Sequence, residues 1–486
     1  MRRLDYAALP GLPKEVRRPR RSGPPQLGIV HFGPGAFHRA HQASYIDALL
    51  DHDPRWGIAA VALRSAETVT ALAAQQGLYT IAVRDAVPVN RIVGAHGAWL
   101  GPEDAAATAA LLADPAISLV TTTVTEKGYC LAADGTLDMG HSDILHDLSS
   151  VAPPRSVIGW IVAGLAARRQ RGLRTFTLMP CDNLASNGAK VKAALVAFAD
   201  ARDADLAAWI AGEVCVPSTM VDSITPASDR ALVANVAAAI GVTDAIPVQR
   251  EAFVQWVIED IGPQNGPDLA SVGAIVTADL VGYERAKLRI LNGAHSTLAY
   301  LGLLRGHASV ADTMTDPALA DFVDRMIRSD IAPTLPAVSG LDLDRYRATV
   351  LDRFRNPAIV HWLDQIAQDG SQKLPYRLCD TIDANRRLGR MPTLAAAAVG
   401  CWVAFVFQRL RTGVPIVDPA AVKLAAAASG ADLSGFVRRL IDGALGLSRH
   451  WQDDATLVMT IVAAAQSAVD GDWDTLFPAS ARAEEH

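Results

Sequence analysis

Up to about residue 283, short apolar runs alternate with amphipathic stretches, the pattern of a parallel sheet covered by helices. LGIVHFG (27–33) reads as a first strand, and AFHRAHQASYIDALL after it as a helix. GIAAVAL (57–63) reads as a second strand, followed by a helix, ETVTALAAQQG, that stops at a glycine. YTIAVRD and NRIVGAHGAWL are expected to form an antiparallel insertion. ISLVTTTV (117–124) and RTFTLMP (174–180) read as buried strands leading into TEKGYC and CDNLASNG. From Glu284 onward strand-like alternation almost disappears and Ala/Leu-rich amphipathic segments dominate. The pattern therefore predicts an α/β chain: a parallel-sheet domain over residues 1–283 and an all-helical domain over 284–486.

Composition narrows the function classes. The 486 residues carry a net charge of −6 with both signs dispersed, so nothing favours nucleic acid or an anionic membrane as partner. The basic run RRPRRSG (17–23) reads as a solvated arm. The first 26 residues lack an apolar core region, so no secretory leader is expected. TLAAAAVGCWVAFVF (393–407) is short for a bilayer span and reads as a buried helix. Five scattered cysteines without a CxxC pair argue against a disulfide framework and a cysteine zinc site. A cytoplasmic chain without a catalytic metal is expected.

Candidate chemistry lies at strand ends and on one helix. Gly33-Pro34-Gly35 follows the first strand and opens a helix, where a GxG lets the backbone approach a pyrophosphate; a plain turn is the alternative. His38 and His41 read as surface or packing residues. At the end of the second strand, where an acid would hold the adenosine ribose, stands Arg64, which suits the extra phosphate of NADP or could lie against the adenine. Asn183 and Asp222 follow apolar runs and are candidates for the ligand crevice, with turn or capping roles as the alternative. KLRILNGAHS (287–296) places three polar groups on one side of an apolar helix. With Lys287 at zero, His295 falls at roughly 80° and Asn292 at roughly 140°. DGSQKLPYR (369–377) reads by itself as a polar surface loop holding Lys373 and Arg377.

Taken in order, GPGAFHRAHQ, TEKGYC, CDNLASNG, TMVDSITPA, KLRILNGAHS and DGSQKLPYR resemble the polyol-specific long-chain dehydrogenases. That family includes mannitol 2-dehydrogenases and fructuronate reductases, and the resemblance runs from about residue 27 to 410. It implies a Rossmann-type N-terminal domain, a helical C-terminal domain, and NAD-dependent hydride transfer, with NADP possible, on a small sugar, sugar acid or polyol. It further implies Lys287 as acid–base, Asn292 and Asn183 steadying the alkoxide, and His295 orienting the substrate. Asp222, Lys373 and Arg377 would contact the substrate, and Gly33, Gly35, Phe37, Arg64, Thr125 and Glu126 the cofactor. Two departures stand out: Ser223 occupies a usual arginine position, and HWLDQIAQDG lacks the common HRT start.

The residue types suit such chemistry. A lysine beside a nicotinamide ring is neutral near working pH if desolvation or positive charge lowers its pKa. Neutral amides aimed at the oxygen stabilise partial negative charge. Glu284, one turn before Lys287, could relay its proton or simply form an exposed ion pair. Fructuronate reduction is the leading expectation, because the loop resembles those enzymes and a guanidinium suits a carboxylate. Mannitol 2-dehydrogenase is the alternative, and a catalytically silent dinucleotide sensor the rival from another class.

Overall fold

The computed structural model describes residues 2–149, 152–262, 266–444, 447 and 450–477, without the side chains of Glu126 and Ala444. The chain forms two compact units, Met1–Val281 and Gly282–His486.

In the first unit the strands are β1 (Leu27–Phe32), β2 (Gly57–Val61), β3 (Tyr79–Arg84), β4 (Val89–Val93), β5 (His96–Leu100), β6 (Leu119–Thr122), β7 (Thr177–Pro180), β8 (Thr219–Asp222), β9 (Val248–Glu251), β10 (Gln255–Glu259) and β11 (Ile275–Thr277). The main sheet has the order β5-β2-β1-β6-β7, with every neighbouring pair parallel. Such a sheet needs cover on both faces, which is why β1 and β2 are near-continuous apolar runs. Alternate residues serve opposite faces. Val30, Phe32, Ala59, Val61 and Val120 pack with Ile158, Ile161 and Leu165 of the helix Val157–Gln170. Ile29, Ile58, Ala60 and Leu119 pack with Ala43, Ile46 and Leu49 of the helix Gln42–Leu49. The chain winds outward from β1 in both directions, so a ligand crevice is expected where the order reverses, between β1 and β6.

Three expectations are corrected here. The antiparallel insertion covers only half of NRIVGAHGAWL: β4 pairs antiparallel with β3, but β5 joins the main sheet parallel to β2. The ladder ends at Gly94, whose N–H donates to the Asp47 carboxylate at 3.0 Å instead of to a strand. The helix after β1 is two helices, Ala36–Ala40 and Gln42–Leu49, broken at His41 (φ −112°, ψ −91°), whose Nε2 bonds the Gln255 carbonyl at 2.8 Å. Finally, β8 is not a strand of the parallel sheet. It runs antiparallel to β10 in a separate three-stranded sheet, so strand ends of the parallel sheet do not account for the position of Asp222.

In the second unit every named element among the described residues is helical. Among the described residues one helix, Thr393–Thr412, is long and apolar enough to cross a membrane, and 72% of its most apolar stretch is buried. It packs against Ala455–Asp470 so closely that a Cβ on Gly400 would lie 2.6 Å from the Ile461 carbonyl oxygen. Gly400→Ala is therefore expected to destabilise the protein by about 1–3 kcal/mol through overpacking. An unchanged denaturation midpoint would contradict this packing.

Candidate active site

The turn after β1 is built for close backbone approach. Gly33 holds φ +90°, and a Cβ there would meet the Thr123 carbonyl oxygen at 2.2 Å. Gly33 N–H donates to Val61 and Gly35 N–H to Gly33, so the turn is tied to the sheet. A Cβ on Gly35 would meet only the Gly33 carbonyl, at 3.9 Å, leaving that flank open to a ligand. These features fit the pyrophosphate of a dinucleotide. Phe37 is half-buried and stacks on His41, with ring centroids 5.1 Å apart.

Beneath the turn lie buried imidazoles. His31 bonds Thr121 Oγ1 at 2.7 Å through Nδ1, and its Nε2 lies 3.0 Å from Thr123 Oγ1 and 3.1 Å from the Gly33 carbonyl. The His38 ring stacks on His31 at 3.4 Å, and its Nε2 lies 3.1 Å from His96 Nε2. His38 and His41 are thus packing residues, both fully buried.

The loops after β6 and β7 are clamped by a residue that sequence reasoning passed over. Asp182 accepts from the N–H groups of Val124 (3.2 Å) and Thr125 (2.8 Å) and from the Tyr129 hydroxyl (2.6 Å). It holds Thr125 at φ +64°, a rare conformation for a β-branched residue and one that clusters at functional sites. Glu126 follows in the short helix Thr125–Gly128; its side chain lies outside the described residues. Asn187 is the second residue passed over. Its amide bonds the backbone of Pro180, Asp182 and Thr219, tying β7 to β8. Both residues stand in CDNLASNG, and their signal was an amide and an acid at the end of a buried strand. Asn183 is exposed and Asp222 buried. Ser223 Oγ donates to the Phe253 carbonyl at 3.1 Å.

Arg64 lies beyond the end of β2 and bonds Asp143 at 2.8 Å beside a cavity of about 340 Å³. Ligand atoms of Cys130, His141 and Asp143 fall within 4.8 Å of one another, a grouping that sequence spacing did not suggest. Burial raises the Cys130 thiol to about 11, and the Asp143 carboxylate adds to this. In that trio the Asp143 carboxylate is ion-paired with Arg64.

In the second unit, KLRILNGAHS is not the regular α-helix expected. Lys287–Gly293 is a π-helix that continues into the α-helix Ala294–Leu304. Its hydrogen bonds run from i to i+5, so Lys287 and Asn292 lie closer around the axis than the roughly 140° of an α-helix. Gly293 gives room for a neighbour, since a Cβ there would approach the Arg377 carbonyl oxygen to 3.0 Å. DGSQKLPYR is likewise not a surface loop. Gly370–Leu374 is helical with Gly370 and Ser371 buried, and it runs into a second π-helix, Pro375–Cys379.

Arg377 Nη1 donates to Ser296 Oγ at 2.9 Å, while its buried Nε has no hydrogen-bond partner among the described residues. Lys373 Nζ donates to the Gln368 carbonyl at 2.7 Å. His295 stacks on Phe354 at 5.5 Å and meets His361 edge-on at 5.6 Å. Burial pushes His295 well below the usual imidazole range, helped by His361, Arg377, Arg353 and Lys373. Burial and then Arg377 also lower Lys373. The result is neutral imidazoles ringed by cations.

The family described as the mannitol dehydrogenase Rossmann domain matches residues 27–270, and that described as the mannitol dehydrogenase C-terminal domain matches 279–470. The chain belongs to the mannitol dehydrogenase family. It is 41% identical to the D-mannonate oxidoreductase of Escherichia coli, over 90% of this chain and 92% of that one. A Pseudomonas fluorescens mannitol 2-dehydrogenase, solved as a ternary complex with NAD and D-mannitol, superposes with a TM-score of 0.81 at 35% identity, covering 98% of each chain. A substrate-free D-sorbitol dehydrogenase gives a TM-score of 0.90 at 30% identity, over 98% of this chain and 100% of that one.

In this mannitol dehydrogenase family member the buried histidines carry a cost in acid. Burial lowers His31 and His96 to about 3 and, with Arg353 beside it, His361 to about 4. Below about pH 6.5 the unfolded chain binds these protons and the native state does not, so stability falls as pH falls through that value. At pH 5 the loss is about 2 kcal/mol for His31 alone, from 1.5 pH units. Denaturant unfolding at pH 7 and pH 5 should show a smaller drop in His31→Asn than in the unsubstituted protein. Equal drops would contradict a neutral, buried His31.

Proposed function

We propose that this chain is an NAD-dependent oxidoreductase, tolerant of NADP, that interconverts fructuronate and mannonate in the cytoplasm without a catalytic metal. The observation that carries the reading is the cluster of cations around two buried imidazoles in the helical unit. Arg377 has an unpartnered buried Nε, and Lys373 and Arg353 join it around neutral His295 and His361. A substrate carboxylate suits that field, and a planar guanidinium can bind it through two hydrogen bonds. The relationship to a D-mannonate oxidoreductase supports the same substrate class.

Gly33, Gly35, Phe37, Arg64, Thr125 and Glu126 are the residues proposed to hold the dinucleotide. When bound, its nicotinamide supplies or accepts the hydride. Lys287 Nζ gives a proton to the carbonyl oxygen during reduction and takes it back during oxidation. Asn292, with Asn183 in the same role, donates to that oxygen as negative charge develops. His295, neutral, orients the hydroxyl-bearing carbons, and Asp222 and Lys373 bind further hydroxyls. A mannitol 2-dehydrogenase reading is favoured by Ser223, whose hydroxyl is spent on a backbone carbonyl and brings no positive charge.

A charge-assisted contact is worth about 1.5–3 kcal/mol, or about 10–150-fold in kcat/KM. Assayed by NADH oxidation, fructuronate should exceed fructose by at least that margin, and Arg377→Ala should remove much of the difference. Equal use of fructose, or equal damage to both substrates in Arg377→Ala, would transfer the assignment to mannitol 2-dehydrogenase.

A further inference from the structure

The strand-end arginine has a partner that its own sequence neighbourhood does not supply. In a doubly wound sheet the residue at the end of the second strand reads the adenosine ribose: an acid bonds the 2′-hydroxyl, whereas an arginine accommodates a 2′-phosphate. Arg64 alone would point to NADP. Yet its guanidinium bonds the Asp143 carboxylate at 2.8 Å, a residue 79 positions further along the chain. Both side chains line the cavity of about 340 Å³ beyond the ends of β2 and β5, together with Val61, Leu63, Gly101 and Trp160.

The two partners are held differently. The Asp143 side chain is 17% exposed, and the backbone N–H of Asp143 donates to His141 Nδ1 at 3.2 Å. The Arg64 side chain is 79% exposed. An ion pair so open to solvent contributes little to stability, so its consequence is to be sought in what enters the cavity.

We propose that Asp143 sets the cofactor selectivity of this chain by occupying Arg64 and repelling a 2′-phosphate, so that it takes the place of the missing strand-end acid. This rests on the dinucleotide reading of the N-terminal unit. NADPH would have to displace a carboxylate that remains beside its phosphate, while the ribose hydroxyls of NADH meet an acceptor.

The test is fluorescence titration of the full chain with NADH and NADPH, which needs no sugar substrate. Asp143→Asn should raise the NADPH:NADH affinity ratio roughly tenfold or more, the effect of one additional charge-assisted hydrogen bond from Arg64 to the 2′-phosphate. Asp143→Glu should leave the ratio near its original value. Arg64→Gln in the Asp143→Asn background should abolish the increase, because the two residues act as one coupled pair. Thermal unfolding of each variant verifies that it is folded. A ratio that stays within about twofold in folded Asp143→Asn, or an increase that survives loss of Arg64, overturns the proposal while leaving the dinucleotide reading intact. Failure of the unsubstituted protein to bind either dinucleotide overturns both.

Discussion

The π-helical segment Lys287–Gly293 is the constraint on which the catalytic reading depends. An α-helix would put Lys287 and Asn292 at the two edges of one face, whereas the i→i+5 turn brings them closer around the axis. Widened helices are rarer and less well bonded than α-helices, so the segment persists only where packing fixes it. Gly293 against the Arg377 carbonyl does part of that fixing, and Ile290 and Leu291 anchor the opposite side in the core. The second widened turn, Pro375–Cys379, carries Arg377. Lys287 and Asn292, the proposed base and amide donor, and Arg377 thus all lie on widened turns.

Electrostatics follow from that packing. The stacked and edge-on contacts of His295 with Phe354 and His361 take the imidazole out of water, and burial keeps it uncharged. Arg353, Arg377 and Lys373 add positive charge nearby and disfavour its protonation further. A neutral imidazole can orient a hydroxyl group, and the positive field around it suits an anionic ligand. In the other unit the same principle serves structure: His31 and His38 stack beneath the Gly33 turn as neutral rings.

Much of the fold was legible because its signals are local. The continuous apolar runs of β1, β2 and β6 announce a sheet covered on both faces, and the loss of alternation after Glu284 announces helices. Less legible were features set by distant partners. The exit of the chain at Gly94 depends on Asp47, and the break at His41 on the Gln255 carbonyl. The pairing of Arg64 with Asp143, the clamp at Asp182 and the brace at Asn187 all join residues far apart in sequence or between neighbouring elements. The widened turns escaped notice because apolar spacing over seven residues does not separate i+4 from i+5 bonding. Lys287, Asn292 and His295 were visible as polar residues in an apolar helix, and the resemblance to dehydrogenases supplied their roles.

The central claim is that Lys287 moves the proton. Its most direct test is the turnover of Lys287→Ala compared with its NADH affinity, measured on the same preparation. Loss of a positioned acid–base should lower kcat by roughly 10²–10⁴-fold, with NADH binding close to that of the unsubstituted protein and partial recovery on adding small primary amines. A variant that retains near-normal kcat would contradict the account.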